Sequence, residues 1–492
     1  MTNKYLHHTL ASGWPPLVCC LCVAVGVLLP WQLGTLAFFD IQRGIQWLSL
    51  GLVVGIAGFQ CRLLIYRNLV DYVSTCLHLS RLVAVLLVGL VLWQVSFGGL
   101  AMLEMAYLVL LGSAIIVVAV SVKCYSLLGW TLLGGLLTLL ILIYALLAIY
   151  HIFLVWGFAN RHDFGPGFAN VRFFADVAVG VMPLALLYVV ARPRPSKVAA
   201  TLCLAPLSVW WWLLWVSESR AALLGLFAGL LCALWLFGRA ARWPVTLLSV
   251  SGALGLVGWW ILNPIGGGGG DGVEGAFLRD ITSSSGRLSL WVDALRYAVE
   301  HFPVGIGPMG FAADGNLRSA HAHNLFLNLM AEWGLPLAML LLAVLIHGCR
   351  LIIRRSRARP VVDRPLYACL VMAFVGVMTN AQFAGSHIIP LSALVMVLAI
   401  GLVFGYSSTG ESGPPECSGP VPIGATLLWA CLVLMLAYML HAGLELYWLS
   451  IDSTQTCFEE QGRIYLYPRF WAQGRLECMQ MIAPEHWLFW HL

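Results

Sequence analysis

The feature that most limits this chain is a series of long apolar runs separated by short polar breaks. A bilayer core takes about 20 apolar residues of helix. The chain offers about thirteen such stretches: 15–37, 44–60, 82–100, 105–122, 127–150, 173–191, 198–216, 221–238, 243–262, 325–349, 366–380, 388–405 and 421–448. No water satisfies backbone groups in lipid, so each stretch has to be helical. The expected fold is an all-α polytopic integral membrane protein with about 12–13 transmembrane helices. Composition agrees, with 61% hydrophobic and only 10% charged residues, against roughly 25% charged in a soluble domain. The first run follows only Lys4 and lacks a clean small-residue cleavage site, so it reads as a retained helix.

Orientation follows from where the cations fall, because Lys and Arg favour the cytoplasmic loops. With the N-terminus in the cytoplasm, sixteen of the 27 Lys and Arg lie inside, including all three lysines, and every outside cation is arginine. The cations form no stripe, so the net charge of +5 gives no footprint for nucleic acid. Most of the 14 cysteines lie in apolar runs or on the inner side, and none makes a paired CxxC pattern. Cys457 and Cys478 fall in the outside tail, where an oxidising compartment would permit them to pair.

Three outside segments are long enough to build something. "HIFLVWGFANRHDFGPGFANVR" covers 151–172, a loop with the flexible opening "NPIGGGGGDG" runs from Asn263, and the tail covers 449–492. In the second loop Leu288, Trp291, Leu295, Ala298 and Phe302 recur at helical spacing, which predicts an amphipathic helix over 286–301 lying on the membrane surface. The tyrosines and tryptophans of the tail suit the headgroup layer. "GIGPMG" (305–310) spells GxGxxG but follows a helix, so it reads as a glycine-rich turn. No Walker motif and no DxD pair is present, which weighs against ATP-driven and metal-dependent chemistry; no metal site and no cofactor are expected.

Ionisable groups at membrane depth are costly and mark pathways or sites. Arg172, Arg220, Arg287 and Arg318 all fall at the outside face. The guanidinium fork matches phosphate oxygens, so several converging there would suit a diphosphate. Each alone could equally snorkel to a headgroup or pair with a neighbour such as Glu218 or Asp293. Asp176, one turn after Arg172, reads as that residue's structural partner. His323 could exchange a proton with a hydroxyl. His321 and His387 read first as hydrogen-bonded bystanders near it, Asn324 as the cap of the following helix, and Glu332 and Trp333 as interfacial.

"SRAALLG", "GRLSLWVDALRYAVEHFPVGIGPMGF" and "AHNLFLNLMAEWGLP", in that order, resemble the O-antigen ligase superfamily over roughly residues 150 to 405. That group comprises O-antigen ligases, O-antigen polymerases and protein O-oligosaccharyltransferases. Its histidine motif runs His, then Asn, Ser or Gln, then nine residues and glycine, as His323, Asn324 and Gly334 do here. Leu337 stands where the family has a small residue or tyrosine, a mild departure that weakens assignment to the lipopolysaccharide ligase branch. "GPGFANVRFFADVAVGVMPL", "FAGSHIIPLSALVMVLAIGLVFG" and "PRFWAQG" look more like the pilin-glycosylating members.

The resemblance implies a metal-independent, inverting membrane glycosyltransferase of the GT-C type in the bacterial inner membrane, its site facing the periplasm. The donor would be an undecaprenyl-diphosphate-linked glycan and the acceptor a hydroxyl of lipid A core or of a protein such as pilin. Carried over, His323 is the essential histidine, Arg220 and Arg287 the essential arginines, and Arg172 matches a further one. Arg318, His321, Asn324 and His387 would support them. Residues 1–150 are then the N-terminal helices, 151–405 the catalytic region with the periplasmic loop 263–324, 406–448 a cytoplasmic linker and last span, and 449–492 the periplasmic tail. A polymerase would share the donor site. A flippase or transporter would be expected to show internal repeats and polar breaks at the midplane, and the costly residues lie at the outer face instead.

Overall fold

The computed structural model describes residues 13–29, 35–60, 98–123, 125–151, 153, 167–192, 197–265, 286–317, 319–408, 421–455 and 468–490. Arg318, Cys457, the glycine-rich linker from 266 and most of the 82–100 run lie outside the described residues. The main elements are helices α1 (Pro15–Leu28), α2 (Thr35–Leu50, continuing as a π-helix Gly51–Ala57), α3 (Gly99–Val122), α4 (Leu127–Tyr150), α5 (Val171–Ala185) and α6 (Lys197–Val216). There follow α7 (Arg220–Phe237), α8 (Arg242–Ile265), α9 (Arg287–Glu300), α10 (Leu325–Trp333), α11 (Leu335–Ala358), α12 (Arg364–Asn380), α13 (Pro390–Ser407), α14 (Ile423–Gln455) and α15 (Leu476–Ile482).

Nine helical stretches among the described residues are long and apolar enough to cross a membrane. One of them, Arg220–Leu262, contains two of the expected spans, α7 and α8, joined by the short helical turn Gly238–Ala241. Of the expected first span, 15–37, α1 covers Pro15–Leu28 and the described part of α2 starts at Thr35, with residues 30–34 outside the described ones. Side chains sort by face: on α4, Leu132, Leu139 and Leu146 are exposed while Leu133, Leu137, Leu140 and Tyr144 are buried. The first set faces where lipid would lie.

Helices α5 and α13 form the centre, with 83% and 89% of their apolar stretch buried, against 17% for the peripheral α11 and α14. Lipid tails are as apolar as leucine, so close packing holds such helices together, and small residues permit it. Gly225 and Gly229 of α7 lie on the carbonyls of Gly376 and Met372 of α12, where a Cβ would come within 2.6 Å of either oxygen. This fixes the two helices in register and brings the Arg220 end of α7 to the Asn380 end of α12.

The loop helix is present as α9. Its buried face is Leu290, Ala294 and Ala298, packed with Phe311, Leu317, Ala322 and Ala331. Leu288, Val292, Leu295, Val299 and Phe302 form a second apolar row that is exposed. The described part of the tail packs into the bundle rather than ending at its rim: Phe470, Trp471, Leu476 and Phe489 are buried. Cys478 is disulfide-bonded, and its partner is not among the described free cysteines.

Candidate functional site

The site is built around the turn 319–324, which leads into α10. Asn324 has extended backbone and its side chain accepts from the Leu327 N–H at 3.0 Å, the expected helix cap. The Asn324 amide donates to the Gln382 carbonyl at 3.0 Å, and the Leu325 N–H donates to the Ala381 carbonyl at 2.9 Å. The turn is thereby tied to the α12–α13 connection. From the other side, Trp291 of α9 donates to the Ala322 carbonyl at 3.0 Å.

Between these ties His323 adopts φ +52°, a left-handed conformation uncommon outside glycine. Its backbone N–H donates to Nδ1 of His321 at 3.2 Å, and its Nε2 lies 3.2 Å from the Ser319 hydroxyl. The two rings are 4.1 Å apart between centroids, and His387 lies 6.3 Å from His321. His321 is buried against Gly385, where a Cβ would come within 2.4 Å of its ring. Both ring nitrogens of His387 are buried without a hydrogen-bond partner among the described residues.

The motif glycine has a steric reason. Gly334 has φ +83°, and a Cβ there would lie 1.9 Å from the Pro303 carbonyl oxygen. The Gly305–Gly310 turn, which precedes the histidine turn, packs on the end of α10 through the Ile306 N–H and the Ala331 carbonyl at 2.8 Å.

Arg172 and Arg287 begin α5 and α9. Asn170 caps α5 by accepting from the Arg172 N–H at 2.9 Å. Both guanidinium groups act on His323: burial, then Arg287 and Arg172, lowers its pKa from 6.5 to about 4. Burial, then Arg469 and His323, lowers His387 to about 3. Burial and then His323 hold His321 well below the usual imidazole range. The three rings are therefore neutral near pH 7. Asp176 accepts from the Asn380 amide at 2.7 Å, and the charges of Arg287 and Arg172, its expected partner, both act on it.

Arg220 stands at the same end of the bundle, exposed, just after Glu218, whose φ of +53° makes the sharp turn between α6 and α7. The register of α7 against α12 sets it at the end of the bundle that carries the histidine turn. Among the described residues no group of three His, Cys, Asp or Glu is placed to hold a metal ion.

Sequence reasoning missed a buried polar cluster beneath the turn. Arg469, from the tail, lies 2.9 Å from Glu104 of α3 and 2.5 Å from Glu332 of α10. Glu332 is fully buried and not interfacial. Arg43 of α2 is also buried, and donates to the carbonyls of Ile388, Arg469 and Phe470 at 2.6, 2.9 and 2.7 Å. The available signal was Glu104, a lone acid in "LAMLEMAYLV" that demands a cation at membrane depth.

Fold and site together define a multi-pass α-helical membrane protein with arginines and neutral histidines grouped at one end of the bundle. Residues 205–342 match the family model described as O-antigen ligase, which supports the O-antigen ligase superfamily and, with it, glycosyltransferase-type activity in general. The matched stretch carries Arg220, Arg287, His323 and Gly334. No curated protein matches the chain.

Proposed function

We propose that the protein transfers a glycan from undecaprenyl diphosphate to an acceptor hydroxyl on the periplasmic side of the bacterial inner membrane. The observation that carries this reading is that Arg172 and Arg287, from separate helices, lie near enough to His323 for both charges to act on its ring, at the turn that also brings His321 against it. The cation distribution and the disulfide at Cys478 support an outer, oxidising placement of this end.

In the proposed step the acceptor oxygen attacks the first sugar carbon as the bond to the diphosphate oxygen breaks, inverting that carbon. Nε2 of His323, now beside the Ser319 hydroxyl, takes the acceptor proton. The bonding pair leaves with the diphosphate, whose charge is held by Arg287 and Arg172, with Arg220 at the same rim. Fixed charge aimed at the leaving oxygens is usually the largest contribution, and the general base adds about 10²–10⁴. His387, whose buried ring nitrogens have no hydrogen-bond partner among the described residues, would be a supporting polar group for the sugar or acceptor.

The test is reconstitution: purified protein, lipid-linked oligosaccharide, and lipid A core and pilin offered side by side. Glycan attached to either acceptor with the anomeric configuration inverted is the expected product. Retention of configuration would overturn direct displacement, and chains of joined repeats on lipid would make the enzyme a polymerase. Arg287→Lys keeps the charge and loses the fork, so turnover should fall at least about tenfold, a loss of roughly 1.4 kcal/mol in the transition state. Near-normal turnover would remove the two-pronged grip.

A further inference from the structure

We propose that Arg469, outside the family-matched region, is a positioning residue for this reaction: from the tail it clamps the histidine turn to the membrane bundle. The inference rests on the transferase reading above. Besides its two carboxylates, Arg469 donates to the Ala320 carbonyl at 3.3 Å, directly within the turn. The second link runs through Glu332, whose Oε2 accepts from the Asn328 amide at 2.8 Å; the Asn328 oxygen in turn accepts from the Ala322 N–H at 3.1 Å. The other Glu332 oxygen accepts from the Phe311 N–H at 3.2 Å. One guanidinium thus holds residues on both sides of His321 and reaches the residue before His323.

The tail is itself anchored. Arg43 takes the carbonyls of Arg469 and Phe470, and Asp40 accepts from the Ala472 N–H at 2.8 Å. Trp471 donates to the Gly443 carbonyl at 2.8 Å. Arg43 also holds Ile388, the neighbour of His387, so the clamp joins both histidine segments to α2 and α3. Burying such a cluster is costly, and apolar residues of similar volume often stabilise as well or better. Stability alone therefore does not account for it. What it supplies is register: a planar fork fixes three acceptors in one geometry, and an ammonium does not. His323 needs that register, since its backbone is held in the left-handed region and a misplacement of about 1 Å can cost about 10²-fold in rate.

The experiment uses the full-length protein in detergent with Arg469→Lys, and Asn328→Ala as a second variant that cuts the link to Ala322 without removing a charge. Three quantities are read: the melting curve, amide exchange of residues 319–324, and kcat and KM for the lipid-linked donor. Expected are a folded protein, faster exchange at Ala322 and His323 with α12 and α13 unchanged, and kcat down about tenfold to a hundredfold with KM within about twofold. Wild-type kcat and loop exchange in either folded variant would overturn the clamp. So would a loss of activity that tracks only the unfolded fraction. If the wild type transfers no glycan while Arg469→Lys still loosens the turn, the transferase reading fails, and the role in the reaction with it.

Discussion

At the scale of single residues, the proposed mechanism depends on keeping His323 neutral and in place. With its pKa lowered to about 4, first by burial and then by Arg287 and Arg172, the proposed base would stay unprotonated well into acid. kcat/KM should therefore stay level down to about pH 5, where an ordinary histidine near 6.5 would already be protonated. A bound diphosphate offsets the arginines, so the acid limb of kcat should lie at higher pH than that of kcat/KM. Coincident limbs, both near pH 6.5, would contradict the arginine–histidine coupling. The same shift affects stability. Between about 4 and 6.5 the unfolded histidine binds a proton that the folded one does not, so the contribution is full above 6.5 and is lost as pH falls. Melting temperature should drop across that window, more in the wild type than in His323→Ala. Gly334→Ala forces a Cβ onto the Pro303 carbonyl in a left-handed residue. It should cost at least about 1–2 kcal/mol, read as a lower melting temperature; an unchanged one would mean the turn is not tightly held.

At the scale of elements, α9 shows how far an apolar pattern can be read. The sequence places a helix over 286–301, and α9 runs from Arg287 to Glu300. Its apolar residues divide between two faces. Leu288 and Leu295 belong to the stripe expected from spacing and are 61% and 47% exposed, whereas Leu290 and Ala294 are buried. Both rows are apolar at helical spacing, so periodicity alone cannot choose between a protein face and a lipid face. With one row against α10 and the other free, the second row should lie in the headgroup region. Spin labels at 292 and 299 in nanodiscs should relax with oxygen more than with a water-soluble nickel chelate, and a label at 296 the reverse. Equal water access at all three would detach α9 from the membrane. The polar motif was more legible: the Asn324 cap and the motif glycine follow from local backbone demands that short sequence shows.

At the scale of the whole molecule, the helical bundle was readable because each span must satisfy its own backbone in lipid. The partners of buried charges were not. Arg469 and Glu104 are 365 positions apart, and nothing local tells a tail arginine in "YPRFWAQG" that it will meet an acid of α3 rather than a headgroup. Arg43, lying between two apolar runs, was hidden for the same reason. Arg172, Arg287 and His323 come from distant segments, and their meeting is a property of the packing of α5, α9 and α10. That meeting is the central claim, and the most direct measurement of it is the single-turnover transfer rate of purified His323→Ala with saturating lipid-linked donor. Expected is a loss of about 10²–10⁴ with donor binding retained, because the arginines stay in place. A rate within a few-fold of the wild type, from protein that is folded and inserted, would contradict it.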